Sequence, residues 1–178
     1  MNKVEITKEM LTAARDYLPN AEKELWVAQT APKCFDRLEV KIDDEPMPTM
    51  YMANEGLRRR YLMGAFATLY FASEIEAEER DDALMTEDCY DAWAGGHVFN
   101  QIERWKRDAG LRDKCFDLLA DYKDLEKRFS AQIAGLLAVQ NDPVLRQAQY
   151  SSASIKELPG LLEQLKALQE KKDGEANA

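Results

Sequence analysis

The run Leu111-Arg112-Asp113-Lys114-Cys115-Phe116-Asp117-Leu118-Leu119-Ala120-Asp121-Tyr122-Lys123-Asp124-Leu125-Glu126-Lys127-Arg128-Phe129 places six apolar residues at alternating intervals of four and three. They are Leu111, Cys115, Leu118, Tyr122, Leu125 and Phe129, and on an α-helix they fall along one side. Leu136 stands one heptad beyond Phe129, and Ile133 takes over where the polar Gln132 interrupts. The spacing predicts a long helix from Leu111 to Gln140. Its seam can pack inside the chain or pair with its own copy in a homodimer.

A second long helix is expected upstream, capped by Asn54 and running to about Arg80. Leu57, Tyr61, Gly64, Ala65, Thr68, Leu69 and Ala72 share one side of it, and Leu62, Phe66, Tyr70 and Phe71 widen the apolar surface. That width makes it the expected core helix. Shorter helices fill the rest. Thr7 can cap one through Leu18, with Ile6 and Leu11 placed as a hydrophobic staple. Pro19 opens the next, which carries Ala21, Leu25 and Ala28 at helical spacing up to Pro32. Phe35, Leu38 and Val40 continue it, and the segment from Asp43 to Thr49 is a break because Pro46 and Pro48 bar regular helix.

Asp82 or Thr86 starts a helix through Trp93 that Gly95-Gly96 ends; Val98, Ile102, Trp105 and Ala109 mark another, closed by Gly110. Asp142-Pro143 begins a short segment, Ser151 to Ser154 forms a joint, and Leu158, Leu161, Leu162, Leu165 and Leu168 line a final helix. With only 8 Gly and 6 Pro among 178 residues, the chain lacks the turn residues an all-β fold requires. The expected fold is all-α: one single-domain helical bundle over residues 1–172, of six or seven helices with two of them long, no strand, and a frayed charged tail at 173–178.

Net charge is −9, which disfavours nucleic acid and anionic lipid as partners. From Glu74 to Asp91 nine acidic residues face Arg80 alone, so this one stretch carries nearly the whole imbalance. Glu76 with Glu79, and Asp88 with Asp91, stand three apart and so share helix faces, where paired carboxylates could hold Mg²⁺ for phosphate chemistry. In this the segment resembles the all-helical nucleotide pyrophosphohydrolases of the MazG and dimeric dUTPase type, which use Glu-x-x-Glu followed by Glu-x-x-Asp. The resemblance implies a metal site at Glu76, Glu79, Asp88 and Asp91. Three departures count against it: just eight residues separate the pairs, the second opens with Asp, and no cluster of Lys or Arg lies nearby for a triphosphate. A solvated acidic face explains the same residues.

Other chemistry is poorly supplied. His97 is the single histidine, which rules out a ferritin-like di-iron site and a zinc site of two or three histidines. Cys34, Cys89 and Cys115 are odd in number and lie far apart, as free thiols of a reducing compartment do. The first residues have no apolar signal region, and Tyr61 to Ala72 is too short to span a bilayer, so a cytoplasmic protein without a membrane partner is expected. Arg58-Arg59-Arg60 and Arg104, Lys106 and Arg107 are expected to form salt bridges with the acidic stretch.

Two features point to a protein partner. Met47, Met50, Tyr51 and Met52 give an adaptable apolar loop, and Asp81 and Asp82 lie at the centre of the acidic face. The run Tyr61-Leu62-Met63-Gly64-Ala65-Phe66 resembles small accessory proteins encoded on bacterial prophages, and carries no functional position with it. The expected function is therefore non-enzymatic, with no cofactor: an adaptor, chaperone or structural accessory that binds another protein. The alternatives are the Mg²⁺-dependent nucleotide pyrophosphohydrolase and an acidic mimic of nucleic acid.

Overall fold

The computed structural model describes residues 3–39, 41–42, 45–46, 50–73 and 87–144. Six α-helices lie among them: α1 (Lys8–Ala13), α2 (Asn20–Thr30), α3 (Glu55–Ala65), α4 (Glu87–Gly95), α5 (Val98–Trp105) and α6 (Arg112–Gln140). Four short strands also occur, β1 (Phe35–Leu38), β2 (Lys41–Ile42), β3 (Glu45–Pro46) and β4 (Met50–Ala53). The chain divides into two compact units, Met1–Arg37 with Met52–Leu136 and Leu38–Tyr51 with Leu137–Ala178.

The protein is mostly helical, as the sequence predicts, but it is not purely so. Residues expected to continue α2 and then break form the strands instead. Ala31–Lys33 is a single 3₁₀ turn, and the Cys34 carbonyl accepts the Asn54 N–H at 2.8 Å rather than a helical donor. Pro32 denies the helix a donor, while the aromatic Phe35 and β-branched Ile42 favour extended backbone. β1 pairs with β4; β2 pairs antiparallel with β3, Lys41 opposite Pro46 and Ile42 opposite Glu45.

Caps were legible. Thr7 accepts the Met10 N–H at 3.3 Å and Asn54 the Leu57 N–H at 2.9 Å. The helix that Asn54 begins ends earlier than Arg80. After Ala65 it widens into a π-helical segment, Phe66–Tyr70, and Ala72 then takes a left-handed conformation with φ of 49°. The Ser73 N–H reaches back to the Ala67 carbonyl at 3.0 Å, a Schellman-like closure enlarged by one residue. Residues 74–86 lie outside the described residues, as does the final helix expected beyond Ser154.

The widened turn feeds the core of the first unit. Phe66 is fully buried, with its ring centroid 4.7 Å from Phe99, 4.8 Å from Tyr122, 5.2 Å from Phe71 and 5.7 Å from Tyr70. Such tilted and edge-on aromatic pairs add to the hydrophobic gain of burial, so Phe66→Ala should cost about 3–5 kcal/mol. Tyr61 to Ala67 are buried without a break, so packing alone accounts for the prophage-like run. The seam of α6 supplies the opposite wall: Cys115, Leu118, Leu125 and Phe129 are fully buried, and Leu111 and Tyr122 nearly so.

The N-terminal segment is laced to α4 and α5. Val4 N–H donates to the Ala92 carbonyl at 2.9 Å, and the Gln101 amide bonds both Val4 and Gly96 carbonyls and the Ile6 N–H. A side chain at Gly96 would put its Cβ 2.5 Å from the Val4 carbonyl oxygen, so glycine there is required by close approach.

One helix face runs contrary to expectation. On α2 the expected apolar face of Ala21, Leu25 and Ala28 is exposed, Leu25 by 59%, whereas Lys23, Val27 and Thr30 are buried. Spacings of four and three fit both faces. Carboxylates waiting on α6 decide between them.

Candidate interaction surface

The apolar loop expected around Met50 is strand β4. Side chains alternate across a strand, so Met50 and Met52 share one face and Tyr51 the other. Met50 is 45% and Met52 54% exposed, while Tyr51 is half-buried. On the paired strand Leu38 is 40% exposed. The backbone of Tyr51 is bonded on both sides of its residue by one amide: Asn141 accepts from its N–H at 3.4 Å and donates to its carbonyl at 3.1 Å. The Asn141 side chain thus stands where a neighbouring strand's peptide would, which protects that edge while the methionines stay open to solvent.

Of the remaining expected site residues, Met47, Glu76, Glu79, Asp81 and Asp82 lie outside the described residues. Asp88 and Asp91 belong to α4, with Asp91 exposed. Among the described residues no group of three or more His, Cys, Asp or Glu is arranged to hold a metal ion. Arg58 pairs with Glu55 at 2.8 Å and Glu126 at 3.3 Å, and Arg59 with Glu55 at 3.2 Å. Arg58 thus finds partners on α3 and α6, and Arg59 one on α3. Lys106 pairs with Glu103 at 2.8 Å.

A buried charge cluster is what the sequence reading missed. Lys23 is 2% exposed, and its ammonium contacts Asp121 and, at 3.0 Å, Asp124. The second oxygen of Asp121 accepts the Leu18 N–H at 3.0 Å and the Tyr70 hydroxyl at 2.9 Å. Asp124 also accepts Arg128 Nε at 2.8 Å, and Arg128 reaches Asn20 at 3.0 Å. Burial pulls the Lys23 pKa down, but the hydrogen bonds it donates to Asp121 and Asp124 outweigh that and leave the pKa raised. The hydrogen bond from Lys23 holds the Asp124 carboxyl below the ordinary range. Burial first, then the bond to Asp121, pushes the Tyr70 hydroxyl up. Every polar group named here has a partner, so the cluster ties α2, the π segment and α6 together.

Cys34 and Cys115 are buried, and burial raises both thiols, Cys34 to about 11, which disfavours the reactive thiolate. His97 is exposed and left-handed, with φ of 51°, directly before α5. No helix among the described residues is long and apolar enough to cross a membrane. No family of proteins matches this chain, and no curated protein or solved structure does either.

Proposed function

We propose that this protein acts without catalysis by binding another protein, with β4 as the strand that meets it. The supporting observation is the pair Met50 and Met52, side by side and half open to water on a strand whose backbone is already bonded. Methionine adapts to irregular partner surfaces, which suits such a pair to a protein contact. The adaptor, chaperone or accessory roles all draw on such exposed apolar side chains. The α6 seam is not the contact in this reading, because its side chains are spent inside the chain's own core. A homodimer through Leu111–Phe129 would have to open that core.

The test compares the wild type with Met50→Ser/Met52→Ser as bait in extract from the native cell, with co-purifying proteins quantified by mass spectrometry. The expected result is one partner enriched near stoichiometry by the wild type and lost with the variant, at unchanged melting temperature. Indistinguishable profiles for the two baits would end this reading.

A further inference from the structure

The two edges of β4 are satisfied by different means. Just past the strand, the Asn54 N–H donates at 2.8 Å to the carbonyl of Cys34, the residue directly before β1. N–H groups alternate between the edges of a strand, so Tyr51, three residues back, turns its N–H and carbonyl away from β1. Among the described residues no second strand lies along that edge. The side-chain amide of Asn141 takes both groups instead, accepting at 3.4 Å and donating at 3.1 Å. Its own N–H, bonded to the Leu137 carbonyl at 3.0 Å, fixes Asn141 at the end of α6.

A residue that exchanges both its N–H and its carbonyl with one facing residue is a hydrogen-bonded pair of an antiparallel ladder. A side-chain amide carries the donor and the acceptor of a peptide group. Asn141 therefore holds the place of one residue of a further strand. It holds that place loosely, because 3.4 Å exceeds the ordinary range of about 2.7–3.2 Å.

The sequence of β4 says which strand fits. Met50-Tyr51-Met52 reads the same in both directions. Laid antiparallel on a second β4 with Tyr51 opposite Tyr51, Met50 meets Met52 of the second copy and Met52 meets Met50. Such reciprocity is what a two-fold axis requires. Methionines that are 45% and 54% exposed in one chain would then cover one another across the strands. Two sheets of two strands would join as one of four, the width at which a sheet becomes stable.

We propose that two copies of this chain pair through β4, antiparallel and centred on Tyr51, and that the Asn141 amide is the built-in competitor each copy releases. The inference rests on the β4 reading above and names a second copy as the partner. Four residues a side make a small interface, so the pairing is weak and concentration-dependent.

Sedimentation equilibrium of the full chain, carried up to about 1 mM, tests this. The wild type should begin to dimerise toward the upper end. Asn141→Ala deletes the competitor and should tighten the dimer by about tenfold. Adding Tyr51→Pro removes the N–H that the second copy needs and should restore the monomer, since an edge strand tolerates proline where its N–H faces outward. Amide hydrogen exchange separates pairing from a folding defect. In Asn141→Ala the Tyr51 N–H should exchange fast in dilute solution and slow down on concentration, while amides of α3 and α6 stay as in the wild type. Association of Asn141→Ala no stronger than wild type would overturn the proposal, as would Tyr51 exchange that ignores concentration. A different protein that holds Asn141→Ala from extract while no dimer forms would assign the edge to that protein and overturn it too. Tyr51→Pro leaves both methionines in place, whereas Met50→Ser/Met52→Ser leaves the edge and Asn141 intact. Failure of the methionine reading and failure of the pairing are thus told apart.

Discussion

Two regions of this protein break the rule of apolar inside and polar outside, and they do so in opposite senses. At the Lys23–Asp121 cluster a charged pair is taken from water, and every group around it is answered: a backbone N–H, a tyrosine hydroxyl, a second carboxylate. At β4 two methionines stay partly in water, Met50 at 45% exposure and Met52 at 54%. A buried charge with a full set of partners has a structural explanation that closes on itself. Exposed apolar side chains on a bonded strand have none, and that asymmetry is why function is sought at β4 and architecture at Asp121.

Asp121→Ala tests the first half most severely. It leaves Lys23 with Asp124 alone and strips the Leu18 N–H and Tyr70 hydroxyl of their acceptor. A loss of about 3–5 kcal/mol is expected in urea unfolding. A loss under about 1 kcal/mol would mean that the cluster is no keystone. Tyr70→Phe removes one donor and keeps the ring in the aromatic core, so about 1 kcal/mol should be lost by the same measurement.

Acid and base should act on the cluster from opposite sides. Asp124 and Glu22 have depressed pKa values, held down by Lys23 and by Arg15. Their contribution is present above the ordinary carboxylate range and disappears as pH falls through the depressed values. Melting temperature should therefore drop on acidification below about pH 4. The raised Lys23 works the other way: its share is intact below the unfolded lysine pKa of about 10.4 and is lost as pH climbs through the higher folded value. A thermal melt series across pH reads both edges. The smallest stability effect belongs to the other region. Met50→Ser/Met52→Ser should change unfolding free energy by less than about 0.5 kcal/mol, since both side chains already meet solvent. A larger cost would move β4 to the architectural side of the contrast.

Much of the fold could be read from the chain because its signals were local. Thr7 and Asn54 cap as their side chains dictate, Gly95-Gly96 ends α4, and the α6 seam is buried residue by residue. What escaped was set by partners distant in sequence. Lys23 is buried because Asp121 and Asp124, about a hundred residues away, face it, and no periodicity on α2 could distinguish that face from the one bearing Leu25. The strands escaped for a related reason: each is two to four residues long, and backbone pairing rather than a long alternating pattern defines them. At the candidate surface the sequence pointed to Met50, Tyr51 and Met52 by composition, but the role of Asn141 against the strand needs the third dimension.

The π-helical segment Phe66–Tyr70 is equivalent to one surplus residue in an otherwise regular coil. Excising a single position from it, Thr68 for instance, would let α3 run on as ordinary helix but turn everything after the cut by about 100°. Tyr70 would swing off Asp121, and the aromatic cluster would lose its alignment. The spare residue thus works as a phase adjuster, setting the rotation at which two parts of one helix meet their separate neighbours.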